Sequence, residues 1–332
     1  MAPALPESGA LAPVVRAAFG PGSRVIGVQR LRGGTKKGVY RLVLDDERTL
    51  ACYIWSEQEN YWPAATPRAR TDPFAEASGA GLFEAGHTRL AGLGVRTPEV
   101  YLLDRGRSVY PDEIALVEDV RGGTLEEWLE RGEPGAQQAL ARLGDALAAM
   151  HGCRSRSVGK VEVVARGATA DQPCAQIVWD RALGHLAEAS ARVQRIAAIR
   201  DRLEAALAGL AGAAARDEHA LIHGELGPDH VLIDGRGQPV LIDIEGVMFF
   251  DVEWEHVFLE LRFAEHYRWL RPGPGVLDEP RLRLYRLATY LSLVAGPLRL
   301  LDGDFPDRAA MLEIAEANIG RTLAFLEPPP GR

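Results

Sequence analysis

The chain is short of cysteine. Three occur in 332 residues, Cys52, Cys153 and Cys174, far apart and without a C-x-x-C pair, which argues against a disulfide framework or structural zinc site and for a reducing compartment. It also lacks any apolar run near the ~18 residues that would span a bilayer. The start, MAPALPESGALAP, has no basic segment and carries Glu7 among prolines, unlike a signal peptide. A cytoplasmic protein without a membrane partner is expected. Positive charge is in deficit too: 38 Lys and Arg stand against 46 Asp and Glu, a net charge of -8. A nucleic-acid partner is excluded on that ground, because such binders neutralise phosphates with a basic patch.

The deficit is local. Residues 221–260 hold nine carboxylates (Glu225, Asp229, Asp234, Asp243, Glu245, Asp251, Glu253, Glu255, Glu260) and one base, Arg236. So much negative charge beside apolar strands points to a metal or cation site.

Alternation and β-rich composition predict strands at Val25–Leu31, Gly38–Leu44, Thr49–Trp55, Val100–Leu103 and Ile114–Glu118, the first three joined as a meander by short polar or glycine-bearing turns. Helical composition covers Ala75–Leu93, after a long loop. Beyond RGGT (Arg121–Thr124) the spacing becomes helical, as in Leu140, Leu143, Leu147 and Met150. Strand signals return at ALIH, HVLID and PVLIDIE, and helices follow over Val252–Leu270, Pro280–Val294 and Arg308–Leu326. The expected fold is α+β and two-lobed: a small antiparallel-sheet N-lobe over 1–120 and a mainly helical C-lobe over 121–332. Ligands favour the cleft between such units.

The chemistry gathers in LIHGELGPDHVLIDGRGQPVLIDIEGVMFFDVEWE, Leu221–Glu255. Two short strands flank DGRG and should form a hairpin, with Glu225 and His230 in the loop before it and Asp243 and Glu245 at its end. Converging acids repel unless a cation lies between them, and magnesium, which takes a few carboxylates plus substrate phosphates, suits the place. A zinc deaminase or hydrolase using His223-x-Glu225 is disfavoured, since neither P-C-x-x-C nor H-E-x-x-H occurs.

This stretch resembles the core of the aminoglycoside phosphotransferase and choline kinase family, whose fold is protein-kinase-like. The family pattern H-G-D-x-x-x-x-N followed by I-D-x-E aligns with His223-Gly224-Glu225, with His230 and with Ile242-Asp243-Ile244-Glu245. Asp251 and Glu255 fit the later acidic positions, Gly33-Gly34 the nucleotide loop, Val117–Val120 the hinge and Glu84 the helix glutamate.

The resemblance implies ATP or GTP and Mg2+ between the lobes, and phosphorylation of a hydroxyl on a small-molecule acceptor of cationic, amino-sugar or aminoalcohol type. It makes Glu225 the catalytic base and assigns Asp243, Glu245 and His230 to the metal. Gly33, Gly34, Lys36, Lys37, Glu118 and Val120 go to the nucleotide. Three positions depart from the pattern: Glu225 replaces Asp, His230 replaces Asn, and Tyr53 or Cys52 stands where a third-strand lysine steadies the phosphates. Lys36 and Lys37 are the candidates to supply that charge. The same departures support an alternative, a catalytically impaired pseudokinase that binds nucleotide or a protein partner in a regulatory role.

Overall fold

Alternation along the first strands decides which way the N-terminal region faces. The computed structural model describes residues 5–31, 34–62, 70–212, 214–273 and 275–327. Helix α1 (Ser8–Phe19) precedes β1 (Val25–Arg30), β2 (Gly38–Leu44) and β3 (Thr49–Trp55). Helix α2 (Ala80–Ala91) and strands β4 (Val100–Asp104) and β5 (Glu113–Glu118) follow. The five strands form one antiparallel sheet in the order β1-β2-β3-β5-β4.

Successive side chains leave opposite faces of a strand. Tyr40, Leu42, Cys52, Ile54, Ile114 and Leu116 therefore meet Leu11, Val14 and Val15 of α1. Ala51, Tyr53, Trp55, Ala115 and Val117 turn the other way, into a core shared with α2 and the C-terminal part. Helix α1 was not expected. Its Leu11-Val14-Val15 spacing is the signal, obscured by Pro13 inside the helix.

The C-terminal part contains α3 (Leu125–Arg131), α4 (Ala136–Gly152), β6 (Arg154–Ser155), β7 (Gly159–Lys160), α5 (Val161–Ala165), α6 (Cys174–Arg192), α7 (Gln194–Ala197) and α8 (Arg200–Leu210). Then come β8 (His219–Ile222), β9 (Val231–Ile233), β10 (Pro239–Leu241), β11 (Met248–Phe250), α9 (Val252–Phe263), α10 (Glu279–Leu300) and α11 (Arg308–Ala324). Strands β9 and β10 pair as the expected hairpin, and β8, with the unforeseen β6, β7 and β11, makes a four-stranded sheet. Helices α6, α8, α9 and α10 bury a second core against β8 and β11.

The segment between β3 and α2 spans both parts. Tyr61 packs edge-on against Phe305 at 5.4 Å, and Phe74 lies 5.2 Å from Phe250 and 4.7 Å from Trp254. Lys160, buried in β7, donates to the carbonyls of Ala75 and Glu76. These contacts set the stretch from Gly34 to Lys37 against the C-terminal part: Tyr61 N–H donates to the Thr35 carbonyl at 2.9 Å, Trp62 Nε1 to Thr35 Oγ1 at 2.9 Å, and Ser78 Oγ to the Lys36 carbonyl at 3.2 Å.

Candidate active site

The loop after β8 is held from below by the first turns of α9. The Glu255 carboxylate, fully buried, accepts from His223 N–H at 2.5 Å and Gly224 N–H at 3.4 Å. Trp254 Nε1 donates to the Gly224 carbonyl at 2.9 Å. Burial pushes the Glu255 carboxyl up to about 7 against the pull of those amides. His223 Nε2 donates to the Ile242 carbonyl at 2.9 Å, which ties the loop to the strand end that carries Asp243. Burial drives this imidazole down to about 4, so at neutral pH it is an uncharged strut.

Glu225 projects from that loop. It is exposed and, among the described residues, its carboxylate has no hydrogen-bond or ion-pair partner. His230 Nδ1 donates to the Glu225 carbonyl at 3.0 Å, its Nε2 lies 3.7 Å from Asp229, and its ring stacks on His223 at 5.9 Å. Asp229 is itself engaged by Arg262 at 2.7 Å.

Asp243 sits in the left-handed region at φ 58°, ψ 44°, a conformation that L residues adopt at a cost and aspartate better than most. The turn is pressed against α2, where Gly86 faces the Ile244 carbonyl so closely that a β-carbon would collide with it. Lys37, at the mouth of β2, crosses to this turn: its Nζ lies 3.0 Å from Asp243 Oδ1 and 2.5 Å from Glu245 Oε1. Trp55 Nε1 adds a bond to the same Glu245 oxygen at 3.1 Å. Burial alone would lower the Lys37 ammonium, but Glu245 and then Asp243 outweigh it and hold it well above the usual lysine value. Burial would raise Asp243, and Lys37 more than reverses that. The Asp243 side chain remains 49% exposed while Glu245 is 4% exposed.

The expected residues therefore fall into groups. Lys37, Asp243 and Glu245 come together, and Gly34, at φ +79°, meets the Lys37 carbonyl with no room for a β-carbon. Gly33 lies outside the described residues. Lys36 does not reach the acids; its ammonium sits 5.9 Å above the Trp62 ring. Glu118 closes β5 and binds Arg96 at 2.7 and 3.0 Å, and Val120 is buried beside it. Glu84 departs from expectation, since its carboxylate turns outward to Arg105 at 2.8 Å.

Family-model comparison matches residues 28–293 to the phosphotransferase enzyme family. The chain belongs to that family. Solved structures agree in fold. A spectinomycin phosphotransferase, APH(9)-Ia, with ADP and its antibiotic superposes with a TM-score of 0.64 at 13% identity, covering 96% of this chain and 98% of that one. A thermostable mutant of the aminoglycoside phosphotransferase APH(4)-Ia with ADP and hygromycin B gives a TM-score of 0.61 at 18% identity, covering 94% of this chain and 98% of that one. A search of curated proteins returns no significant match. No helix among the described residues is long and apolar enough to cross a membrane.

For this phosphotransferase the acidic stretch needs correcting as a site marker. Glu253 is fully buried and bound by Arg216 at 2.6 and 2.7 Å. Asp251 is bound by Arg281 at 3.0 Å and Tyr285 at 2.6 Å. Glu260 pairs with Arg286 at 2.8 Å. Arg216, Arg262, Arg281 and Arg286 all lie outside residues 221–260, so a local count could not register them. Trp55, which bonds Glu245, is not among the residues expected at the site. Its position in β3, on the same face as Tyr53, was the available signal.

Proposed function

We propose that this chain transfers the γ-phosphoryl group of ATP or GTP to a hydroxyl of a small molecule. The observation that supports the reading is that Glu225, exposed and without a hydrogen-bond or ion-pair partner among the described residues, lies on a loop that His223 ties to the strand end carrying Asp243, and that Lys37 reaches Asp243 from the Gly34–Lys37 stretch. Glu225 takes the proton of the acceptor hydroxyl as its oxygen attacks phosphorus. The bond from phosphorus to the bridging oxygen breaks, and its electron pair leaves on the nucleoside diphosphate. Catalysis of this kind is positioning and charge stabilisation.

A divalent cation fits the acids. Glu245 Oε2 is buried without a hydrogen-bond partner beside an Asp243 carboxylate that keeps half its surface toward solvent. Asp243 is the principal holder and Glu245 supports it. Magnesium there would neutralise charge on the phosphate oxygens. His230 offers the cation a poor imidazole ligand, and we give it the task of fixing the Glu225 backbone. Gly34 and Lys37 face the phosphates, and the backbone from Glu118 to Val120 faces the base. A cationic acceptor is supported by Glu225, an exposed carboxylate without an ion-pair partner among the described residues.

The test is nucleotide consumption with ATP and GTP, coupled to a screen of hydroxylated amines and amino sugars. Glu225→Gln should lower turnover by about 10²–10⁴, the range for losing a general base, and leave nucleotide affinity unchanged. Turnover within twofold of wild type would reject Glu225 as the base.

A further inference from the structure

Tyr53 occupies the inward-facing position of β3 where the resemblance calls for a lysine, and Cys52 points to the opposite face, toward α1. The Lys37 ammonium hangs 5.1 Å from the centre of the Tyr53 ring. A cation thus lies over the expected site, reached from β2 rather than β3. We propose that Lys37 is the lysine that anchors the nucleotide phosphates in this chain and that Glu245, in place of a glutamate on α2, is its counter-ion; the assignment rests on the phosphotransfer reading above.

Three observations converge on it. An ammonium has three N–H donors; Asp243 Oδ1 and Glu245 Oε1 take two, which leaves one for a phosphate oxygen. The face that α2 turns toward the site is apolar: Phe83 packs 5.7 Å from both Tyr53 and Trp55, while Glu84, next in sequence, points outward to Arg105. Helix α2 therefore offers no carboxylate, and the Trp55 bond to Glu245 fixes the substitute. The neighbouring Lys36 is diverted to Trp62, so the two lysines of the loop are not equivalent.

Relocating the charge tests the idea. Lys37→Met should weaken ATP or GTP binding and cut turnover by about 10²–10³, the scale for deleting one preorganised donor to developing charge. Adding Tyr53→Lys to Lys37→Met should restore turnover at least about tenfold, because it returns an ammonium to the same place from the third strand. Glu84→Ala should bind nucleotide as wild type does. The idea is overturned if Lys37→Met binds and turns over as wild type does, or if the folded double variant is no better than the single one.

A purely structural role for Lys37 would move the unfolding midpoint without rescue by Tyr53→Lys. If Lys37→Met does not fold, Lys37→Arg keeps the charge against Glu245 but presents a planar fork in place of a compact ammonium. Its nucleotide KM should then rise severalfold, and an unchanged KM overturns the assignment. A wild-type protein that binds neither ATP nor GTP would instead defeat the phosphotransfer reading itself.

Discussion

Two acid clusters lie within a few residues of each other in sequence and are balanced differently. At the turn after β10, two carboxylates, Asp243 and Glu245, share one cation, Lys37, and one of the acids stays half exposed. At the start of α9, two carboxylates, Asp251 and Glu253, meet two guanidiniums, Arg216 and Arg281, with Tyr285 and His219 also against Asp251; both acids are at most 1% exposed. The first cluster is one positive charge short and open. The second is neutral and closed. A deficit of one cation at an accessible carboxylate marks a place for a charged ligand, whereas acid density alone does not.

That contrast separates two kinds of damage. Arg281→Met removes a guanidinium that is 4% exposed and takes from Asp251 its nearest cation, which should cost about 3–5 kcal/mol in urea denaturation, as breaking a buried ion pair does. Turnover per folded molecule should not change. A loss of turnover at unchanged stability would place the α9 cluster in the chemistry and erase the distinction.

A smaller effect is read by pH and comes from buried groups outside both clusters. His151 of α4 and His256 of α9, whose rings lie 5.3 Å apart, are held by burial near 3 and 4; Tyr267, Arg271 and Arg154 are their other polar neighbours. Unfolded imidazole titrates near 6.5. Above that value neither state gains a proton; below it the unfolded chain does and the fold does not, so stability falls as pH drops toward about 4. Glu255 opposes this, since its folded form takes up a proton below about 7 and its unfolded form only near 4.5. Glu255→Gln should therefore steepen the acid loss, and His256→Gln should flatten it, in unfolding midpoints measured from pH 7.5 to 5. Profiles of both variants with the same slope as wild type over that range would refute both.

The smallest expected effect is none. Cys174, His219 and Asp251 bring one ligand atom each to within 4.8 Å of one another, an arrangement that invites zinc. Arg281 already binds Asp251, and Arg216 stands 3.7 Å away, so the cation's place is taken. Added zinc should leave the unfolding midpoint unmoved; a rise of several degrees would show that the cluster is less closed than its charges imply.

Much of this was legible in the sequence because it is periodic or contiguous. The five N-terminal strands, the β9–β10 hairpin and the three long C-terminal helices follow from alternation, turn residues and helical spacing, and the order of His223, Glu225, Asp243 and Glu245 lies in one short stretch. What could not be read depends on long-range pairing. Lys37 and Glu245 are 208 residues apart, and nothing local distinguishes Lys37 from Lys36. The outward turn of Glu84 depends on Arg105, and the sealing of Asp251 and Glu253 depends on arginines beyond the acidic stretch. Strands β6, β7 and β11, of two or three residues each, are too short to show a period.

The account stands most directly on calorimetric titration of the protein with ATP and with GTP, each with and without magnesium, in wild type and Asp243→Asn. It predicts saturable, magnesium-dependent binding of one nucleotide that disappears in Asp243→Asn while the unfolding midpoint stays in place. Equal binding by the two proteins, or binding indifferent to magnesium, would contradict it.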